Sequence, residues 1–407
     1  MSLIVAILFL LIVSRVAAEL AERFGQPAMI GEIVAGLILA PALLGLIHQS
    51  PELTAIADIG LLMLVLLAGM EISLEQLVDA FSGRNLWISI MGFVVPFAMG
   101  LGLGVALGLD ANRTIFVGLC ISITALPVSI RILMDIGRLQ TTIGQRIIGA
   151  AIANDVIALL VLGVIVNANT TQAGWREVVV SAGMPTLKVV LFMAAVVLAG
   201  KAINKAAAMA HLDKWRENIG SRLRVKEPVF AATLLFVIVF AALAEALGLH
   251  FVVGAFFGSV LLGHELLGPQ QFEQARKTAS AVSMGFLAPL FFASIGLAFD
   301  TSGLTDVWLT VGVVVVAFVG KIFSGRVGGW LAGMGPAESW ALGMGLNGRG
   351  IMGLVVGRIG LSSGLIGSGL FSVLVLMGMI TTIVTPTLLR RAFEKVEREQ
   401  ARLKKAG

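Results

Sequence analysis

Residues 20–45 read LAERFGQPAMIGEIVAGLILAPALLG, and residues 243–268 read LAEALGLHFVVGAFFGSVLLGHELLG. The two stretches align without a gap, at one constant offset from the first pair to the last. The identical pairs include Leu20/Leu243, Ala21/Ala244, Glu22/Glu245, Gly25/Gly248, Gly31/Gly254, Leu43/Leu266, Leu44/Leu267 and Gly45/Gly268. Similarity at a fixed offset indicates an internal duplication.

The composition is that of a membrane protein. Of 407 residues, 58% are hydrophobic and 13% are charged, and the mean hydropathy is +0.98. A soluble domain carries about 25% charged residues, so this chain could not cover a water-exposed surface. One cysteine excludes an internal disulfide framework, and four scattered histidines form no metal-ligand pattern. We expect no cofactor, and we do not expect a nucleic-acid partner, because the basic residues lie between hydrophobic segments.

Hydrophobic runs and their breakers predict an all-α polytopic fold of thirteen transmembrane helices. The predicted helices are 2–23, 27–46, 53–71, 85–108, 113–136, 142–167, 177–207, 228–247, 249–264, 277–299, 305–333, 339–360 and 364–390. They form one membrane domain over residues 1–390, followed by a short basic tail at 391–407. Repeat one covers about 1–167, a linker helix about 177–207, and repeat two about 228–390.

The distribution of lysine and arginine predicts the orientation. Basic residues concentrate after the seventh helix, between Lys201 and Lys226, and after the thirteenth, between Arg390 and Lys405. The positive-inside rule then places the N-terminus outside and the C-terminus in the cytoplasm. We expect a bacterial inner membrane, with the basic final segment on the membrane surface.

The repeat places helix 1 over helix 8, and an odd displacement inverts the second copy in the membrane. Inverted repeats with interrupted helices are typical of secondary transporters, whose substrate site lies where the copies meet. Helix 5 contains Thr124–Pro127, where proline breaks the helix. The same offset leads to Asn347–Gly350 in helix 12, where two glycines flank Arg349. We therefore expect two crossed broken helices. Ordinary kinks are the alternative at each site taken alone.

Charged residues inside the spans are the strongest functional signal, because each is costly in lipid. Asp155 lies in the middle of helix 6 and Lys321 deep in helix 11. A carboxylate removed from water favours its protonated form, whereas a cation that exchanges hydration for oxygen ligands favours the ionised form. Proton and cation can therefore compete for Asp155. A structural ion pair with Lys321 is the alternative. Glu32 and Glu71 are weaker candidates, for a funnel or for support.

Several motifs, in order along nearly the whole chain, resemble the second cation:proton antiporter family. The matching stretches are Gly31-Glu32-Ile33, Ala40-Pro41, Ala68-Gly69-Met70-Glu71, Thr124-Ala125-Leu126-Pro127, Asn154-Asp155, Pro289-Leu290-Phe291-Phe292, Gly296-Leu297, Gly320-Lys321 and Asn347-Gly348-Arg349-Gly350. The family includes plant cation/proton exchangers and bacterial potassium efflux systems. The resemblance implies a homodimer with a dimerisation domain and a core domain that moves like an elevator.

The resemblance also implies roles for single residues. Asp155 matches the family's ion- and proton-binding aspartate, Thr124 the polar residue at the break, and Lys321 the lysine that pairs with another aspartate. That second aspartate is replaced here by Asn154, which cannot ionise. From their positions, we expect Lys321 and Arg349 to provide charge compensation, Lys321 at negative carbonyl ends unless it pairs with a carboxylate or releases a proton. Asn347, which lies in the second break with Arg349, is a candidate for support.

We therefore predict a monovalent cation (Na⁺ or K⁺)/proton antiporter, with the cation at Asp155, and not an enzyme. One carboxylate that exchanges one proton for one cation favours electroneutral transport, unless Lys321 also releases a proton. Two alternatives stay open: a sodium-coupled symporter for an organic anion bound by Arg349, and a channel or sensor.

Overall fold

The structure is a computed structural model that describes residues 2–41, 43–124, 126–167, 183–208, 227–262, 267–300 and 304–406. All regular secondary structure in these residues is helical. The α-helices are α1 (Leu3–Arg23), α2 (Ala28–Leu39), α3 (Pro51–Met70), α4 (Leu74–Ala80), α5 (Asn85–Ala106), α6 (Ala111–Ser122), α7 (Leu126–Asp135), α8 (Thr142–Asn167), α9 (Gly183–Ala208), α10 (Pro228–Ala246), α11 (Phe251–Leu261), α12 (Pro269–Val282), α13 (Ala288–Leu297), α14 (Val307–Leu331), α15 (Pro336–Gly345), α16 (Gly350–Ser362) and α17 (Ser368–Ala406). A π-helical turn, Ser283–Leu287, joins α12 to α13 in one rod.

The thirteen predicted segments are all found, in three forms. Within the described residues, nine helical spans are long and apolar enough to cross a membrane, and α12, the π turn and α13 count as one of them. The helices α2 and α11 are shorter apolar segments. The two remaining segments are interrupted: predicted helix 5 forms α6 and α7, and predicted helix 12 forms α15 and α16.

Several predicted boundaries were wrong, for local reasons. Predicted helix 2 ends at Leu39 rather than 46, because Pro41 holds Ala40 in an extended conformation with ψ 159°. Predicted helix 10 begins at Pro269 rather than 277, since Gly268 turns the chain with φ 81° and proline suits a first helical position. The short helix α4 was not predicted. Residues 177–182 and 263–264, which were assigned to helices 7 and 9, lie outside the described residues.

The last helix also differs from expectation. It continues without a break from Ser368 through the predicted tail to Ala406. Leu389, Ala392, Phe393 and Val396 are buried against the protein, with the i, i+3, i+4, i+7 spacing of an amphipathic helix. This face of the final segment therefore packs on the transporter itself, and a position on the membrane surface stays a prediction for its exposed face.

The internal repeat is visible in backbone geometry. Gly25 and Gly248, which are paired in the sequence repeat, both have a positive φ, of 70° and 80°. A Cβ on Gly31 would collide with the carbonyl of Ala17, and one on Gly254 with the carbonyl of Phe240. The two helix crossings are equivalent contacts in the two repeats, because Gly254 follows Gly31 by the same number of residues as Phe240 follows Ala17.

A second pair of close crossings places the interrupted helices. Gly100 of α5 packs against Gly118 of α6, and Gly325 of α14 packs against Gly343 of α15. Gly325 follows Gly100 in the sequence by the same number of residues as Gly343 follows Gly118. The α5–α6 and α14–α15 pairs are therefore related by the internal repeat. Glycine at each crossing lets backbones approach closely, as membrane helix interfaces require. The described residues of α6 and α15 are largely buried, and the core lies around them.

Candidate ion-binding site

The two interrupted helices meet at their breaks and cap each other. Thr124, in the break between α6 and α7, donates its hydroxyl hydrogen bond to the Leu346 carbonyl at the end of α15, at 3.1 Å. Arg349, in the break between α15 and α16, donates from Nη1 to the Ile123 carbonyl at the end of α6, at 2.6 Å. The last carbonyls of a helix have no partner within it. Each break therefore supplies a donor that the other half-helix lacks, and the predicted crossed pair is confirmed.

Two buried cations satisfy the end of α6. Lys321 of α14 donates from Nζ to the carbonyls of Ser122 and Gly92, the latter at 2.8 Å. Arg349 bridges Ile123 to the Ala317 carbonyl on α14, at 3.0 Å from Nη2. Lys321 is fully buried and Arg349 is 1% exposed. Cations are favourable at a helix C-terminus, where the helix dipole is negative. This end of the crossing is thus positively charged.

Neutral groups satisfy the end of α15. Besides Thr124, the buried Ser129 of α7 lies 3.3 Å from the Gly345 carbonyl and donates to it. Asn347 donates from Nδ2 to the Gly343 carbonyl at 3.0 Å, while its Oδ1 has no hydrogen-bond partner. Ser129 was not predicted from the sequence. The sequence shows only that Ser129 lies within about one and a half turns of the first break, and serine is common in membrane helices.

Asp155 lies on α8 and is 3% exposed. Its Oδ1 is buried and has no hydrogen-bond partner, and the residue lines a cavity of about 10 Å³, roughly the room needed by one water. The cavity is also lined by Leu64, Val65 and Ala68 of α3, by Ile72 just after that helix, and by Leu126 and Met352.

Leu126 is the first residue of α7, and Met352 belongs to the first turn of α16. The Asp155 carboxyl therefore faces a small cavity walled by the N-terminal turns of both second half-helices. A helix N-terminus carries partial positive charge, which favours an anionic group nearby.

Asn154 connects the carboxylate's helix to the breaks. Its amide is fully buried, 3.2 Å from the Thr124 hydroxyl. We orient the amide with its oxygen toward Lys321, because that oxygen then accepts from Nζ at 3.1 Å and the nitrogen donates to the Ser89 carbonyl at 3.2 Å. Asn154 thus acts as a neutral acceptor for the lysine.

The contacts of Lys321 are with helix-end carbonyls and not with a carboxylate. No ion pair within 4.0 Å joins it to Asp155 among the described residues. The reason is geometric: the ammonium lies at the open end of α6, where two carbonyls and Asn154 take its three donors. Lys321 therefore compensates helix-end carbonyls, and Asp155 keeps an open oxygen.

Glu32 and Glu71 lie away from this cluster, and neither lines the Asp155 cavity. Glu32 is buried on α2, and its charged neighbours are Arg15 and Glu22. Arg15 in turn caps the π turn, donating to the Met284 and Gly285 carbonyls at 2.8 and 2.5 Å. Glu71 is exposed just after α3 and interacts with Arg276 of α12. Both glutamates belong to the surroundings of the π-helical rod.

The comparisons with known proteins agree with this geometry. The model of the family described as "Sodium/hydrogen exchanger, transmembrane" matches residues 5–395. The chain is 28% identical over 388 residues to the Na⁺/H⁺-K⁺ antiporter GerN of Bacillus cereus, covering 95% of each protein. It is 30% identical to cation/H⁺ antiporter 18 of Arabidopsis thaliana, over 97% of this chain and 49% of that protein.

A solved structure has the same fold. The sodium proton antiporter MjNhaP1 of Methanocaldococcus jannaschii superposes with a TM-score of 0.70 at 16% sequence identity, over 95% of this chain and 96% of that one. The relatives are secondary transporters and not enzymes, which confirms that prediction. With two crossed broken helices and a family match over almost its full length, this chain belongs to the transmembrane sodium/hydrogen exchanger family of cation/proton antiporters.

Proposed function

We propose that this protein exchanges a monovalent cation, Na⁺ or K⁺, for a proton, and that both compete for Asp155. The observation that carries the proposal is a buried carboxylate, Asp155, whose Oδ1 has no hydrogen-bond partner and which lines a cavity that fits one water-sized particle. The nearby cations do not fill that position, because Lys321 and Arg349 are engaged by backbone carbonyls.

Competition follows from the charge of the site. A buried carboxylate is costly without a partner, so it takes either a proton or a cation. Binding the cation requires that the proton leave, and binding the proton removes the negative charge that holds the cation. A carrier that moves only in those two occupied forms couples the two flows.

We propose a one-to-one, electroneutral exchange. Asn154 occupies the position beside Asp155 and cannot carry a proton. We assign no proton exchange to Lys321, whose three donors are taken by Gly92, Ser122 and Asn154. The Asp155 site is then electrically neutral in both transported forms, with a proton bound in one direction and a monovalent cation in the other.

The movement and assembly that we propose follow the family resemblance. The unit holding α6, α7, α15 and α16 would slide as an elevator against the unit holding α1, α2, α10 and α11, within a homodimer. We place the protein in a bacterial inner membrane with the N-terminus outside, as the lysine and arginine distribution predicts.

The test is transport in liposomes. Purified protein is reconstituted, Na⁺ or K⁺ is added outside, and internal pH is recorded for wild type, Asp155→Asn and Asp110→Asn. Asp110 caps α6 by accepting from the Arg113 amide, and asparagine caps a helix equally well, so this control keeps exchange. We expect a cation-dependent pH change that Asp155→Asn abolishes.

The alternatives give different results. A sodium-coupled symporter would show anion uptake driven by sodium without proton movement, although both Arg349 Nη atoms are already engaged by carbonyls. A channel would give currents far above carrier turnover. No cation-dependent pH change in folded wild-type protein contradicts the antiporter proposal.

A further inference from the structure

A second, larger cavity lies along the same helix as Asp155. Its volume is about 340 Å³, and it is bounded by α4, the start of α5 and the first three turns of α8. Its polar lining residues are Gln76, Asp79, Asn85, Thr142, Gln145 and Arg146. We call this cavity the vestibule. A polar cavity of this size holds water and hydrated ions.

The vestibule ends at Ile152, which lines it and is 1% exposed. Ile148, Ile152 and Asp155 are spaced i, i+4 and i+7, so they share one face of α8. Ile152 and Asp155 are separated by about 4.5 Å along the helix axis. The vestibule therefore stops one turn short of the carboxylate.

The chain segment from the end of α3 to α4 also lines both cavities, Ile72 the small one and α4 the vestibule. Ile72, which is 3% exposed, lines the small cavity at Asp155. It lies between the end of α3 and the start of α4, and α4 lines the vestibule. The two cavities thus use successive residues of α8, with Ile152 the last to line the vestibule and Asp155 lining the small cavity.

We propose that Ile152 is the gate residue between the vestibule and the ion site of the transporter. A narrow constriction lined by branched apolar side chains expels water, so a hydrated ion cannot pass until the side chain moves. The gate keeps Asp155 dry and prevents continuous proton leakage through the carboxylate. This inference rests on the proposed function, since it assigns Ile152 to access to Asp155.

The test measures access directly, with a reporter thiol in the small cavity. Ala68→Cys places the thiol beside Asp155, and the native Cys120 is 1% exposed. A charged, membrane-impermeant thiol reagent is applied from each side in turn. We expect slow labelling with Ile152 present, and labelling roughly tenfold faster from the vestibule side with Ile152→Ala, because the dewetted barrier is shortened.

The matched control is Ile148→Ala, which widens the vestibule one turn below and leaves Ile152 in place. It should not change the labelling rate. Ile152→Val, which removes one methylene, should give an intermediate rate and keeps the helix folded if the alanine variant does not. Equal rates with and without Ile152, or an equal gain from Ile148→Ala, would overturn the gate.

A transport measurement separates this inference from the proposed function. We expect Ile152→Ala liposomes to lose a proton gradient faster without added cation, and the added Asp155→Asn substitution to remove that leak. If labelling follows Ile152 but wild type shows no exchange, the barrier stands and the antiport proposal fails. If exchange is normal but labelling ignores Ile152, only the gate fails.

Discussion

The guanidinium of Arg349 donates to the carbonyl of Ile123, at 2.6 Å, and so ties one interrupted helix to the end of the other. The reciprocal bond runs from Thr124 to Leu346. Helix ends exposed at mid-membrane depth would leave carbonyls without partners, and lipid offers none. The crossing is therefore stable only because each break carries a donor of the right length, a long cation in one copy and a short hydroxyl in the other.

Arg349→Gln should strongly lower thermal stability. The substitution removes hydrogen bonds from a charged donor to Ile123 and Ala317, each worth about 1.5–3 kcal/mol. Arg349→Lys keeps the charge but has no planar fork to span both carbonyls, so we expect about half the loss. Unfolding temperature in detergent measures both. The exposed Arg326→Gln is the control, and equal stability of all three variants would contradict this role for Arg349.

Thr124→Val should destabilise the crossing and weaken cation binding, whereas Thr124→Ser should do neither. Valine has the same shape but leaves the Leu346 carbonyl without that donor, at a cost of about 1–3 kcal/mol. The half-saturating cation concentration and the unfolding temperature are measured together. If serine fails as badly as valine, the hydroxyl is not the cause.

Asn154→Asp should make transport sensitive to membrane voltage. A second carboxylate beside Lys321 adds a group that can bind a proton, so the carrier moves unequal charge in its two directions. In liposomes with an imposed membrane potential and no gradient of Na⁺ or K⁺ other than that of the tested substrate, we expect the exchange rate of the variant to follow the potential and that of wild type not to. Voltage-dependent wild-type exchange would refute the electroneutral proposal.

Gly100→Ala should disrupt the α5–α6 crossing. An added Cβ would lie 2.6 Å from the Gly118 Cα, so two backbones must separate, which costs at least about 1–3 kcal/mol. Gly102→Ala, two residues along and on the opposite face of the same helix, meets nothing within 4 Å and should be neutral or stabilising by about 0.5–1 kcal/mol. Unfolding temperatures compare the two. A larger loss at residue 102 would contradict the packing described here.

Phe393→Ala should destabilise the protein, because the last helix packs on the transporter. Phe393 is 6% exposed and lies under the Arg138 guanidinium, 5.9 Å from the ring centre. Deleting a buried phenylalanine costs about 3–5 kcal/mol. The neighbouring Arg138–Glu397 ion pair is partly exposed, so Glu397→Gln should cost less than about 1 kcal/mol.

The exposed Glu399→Ala is a neutral control on the same helix. Detergent unfolding and liposome binding by the isolated C-terminal peptide distinguish packing from membrane attachment. If Phe393→Ala is as stable as Glu399→Ala, the segment does not pack as described.

The sequence was sufficient for the thirteen segments and for the location of both breaks. Hydrophobic length is set by bilayer thickness, and proline and glycine act locally on the backbone, so both signals are confined to short stretches of chain. The constant offset between the two copies was also readable, since glycines such as Gly31 and Gly254 are required at the same helix crossing in both. Asp155 and Lys321 were conspicuous because charge is rare in such spans.

Only the tertiary structure decided which residues contact each other across the chain. The sequence left open whether Lys321 compensates helix-end carbonyls, pairs with a carboxylate or releases a proton. In the structure the lysine is held by Gly92, Ser122 and Asn154, because α14 carries it to the open end of α6. Hydrogen bonds between opposite halves of the chain, such as the one from Thr124 to Leu346, have no local signature. The same holds for the vestibule along α8, whose walls come from three separate helices. Local chemistry therefore determined the segments and their breaks, while their packing against each other determined which oxygen of the site stays open.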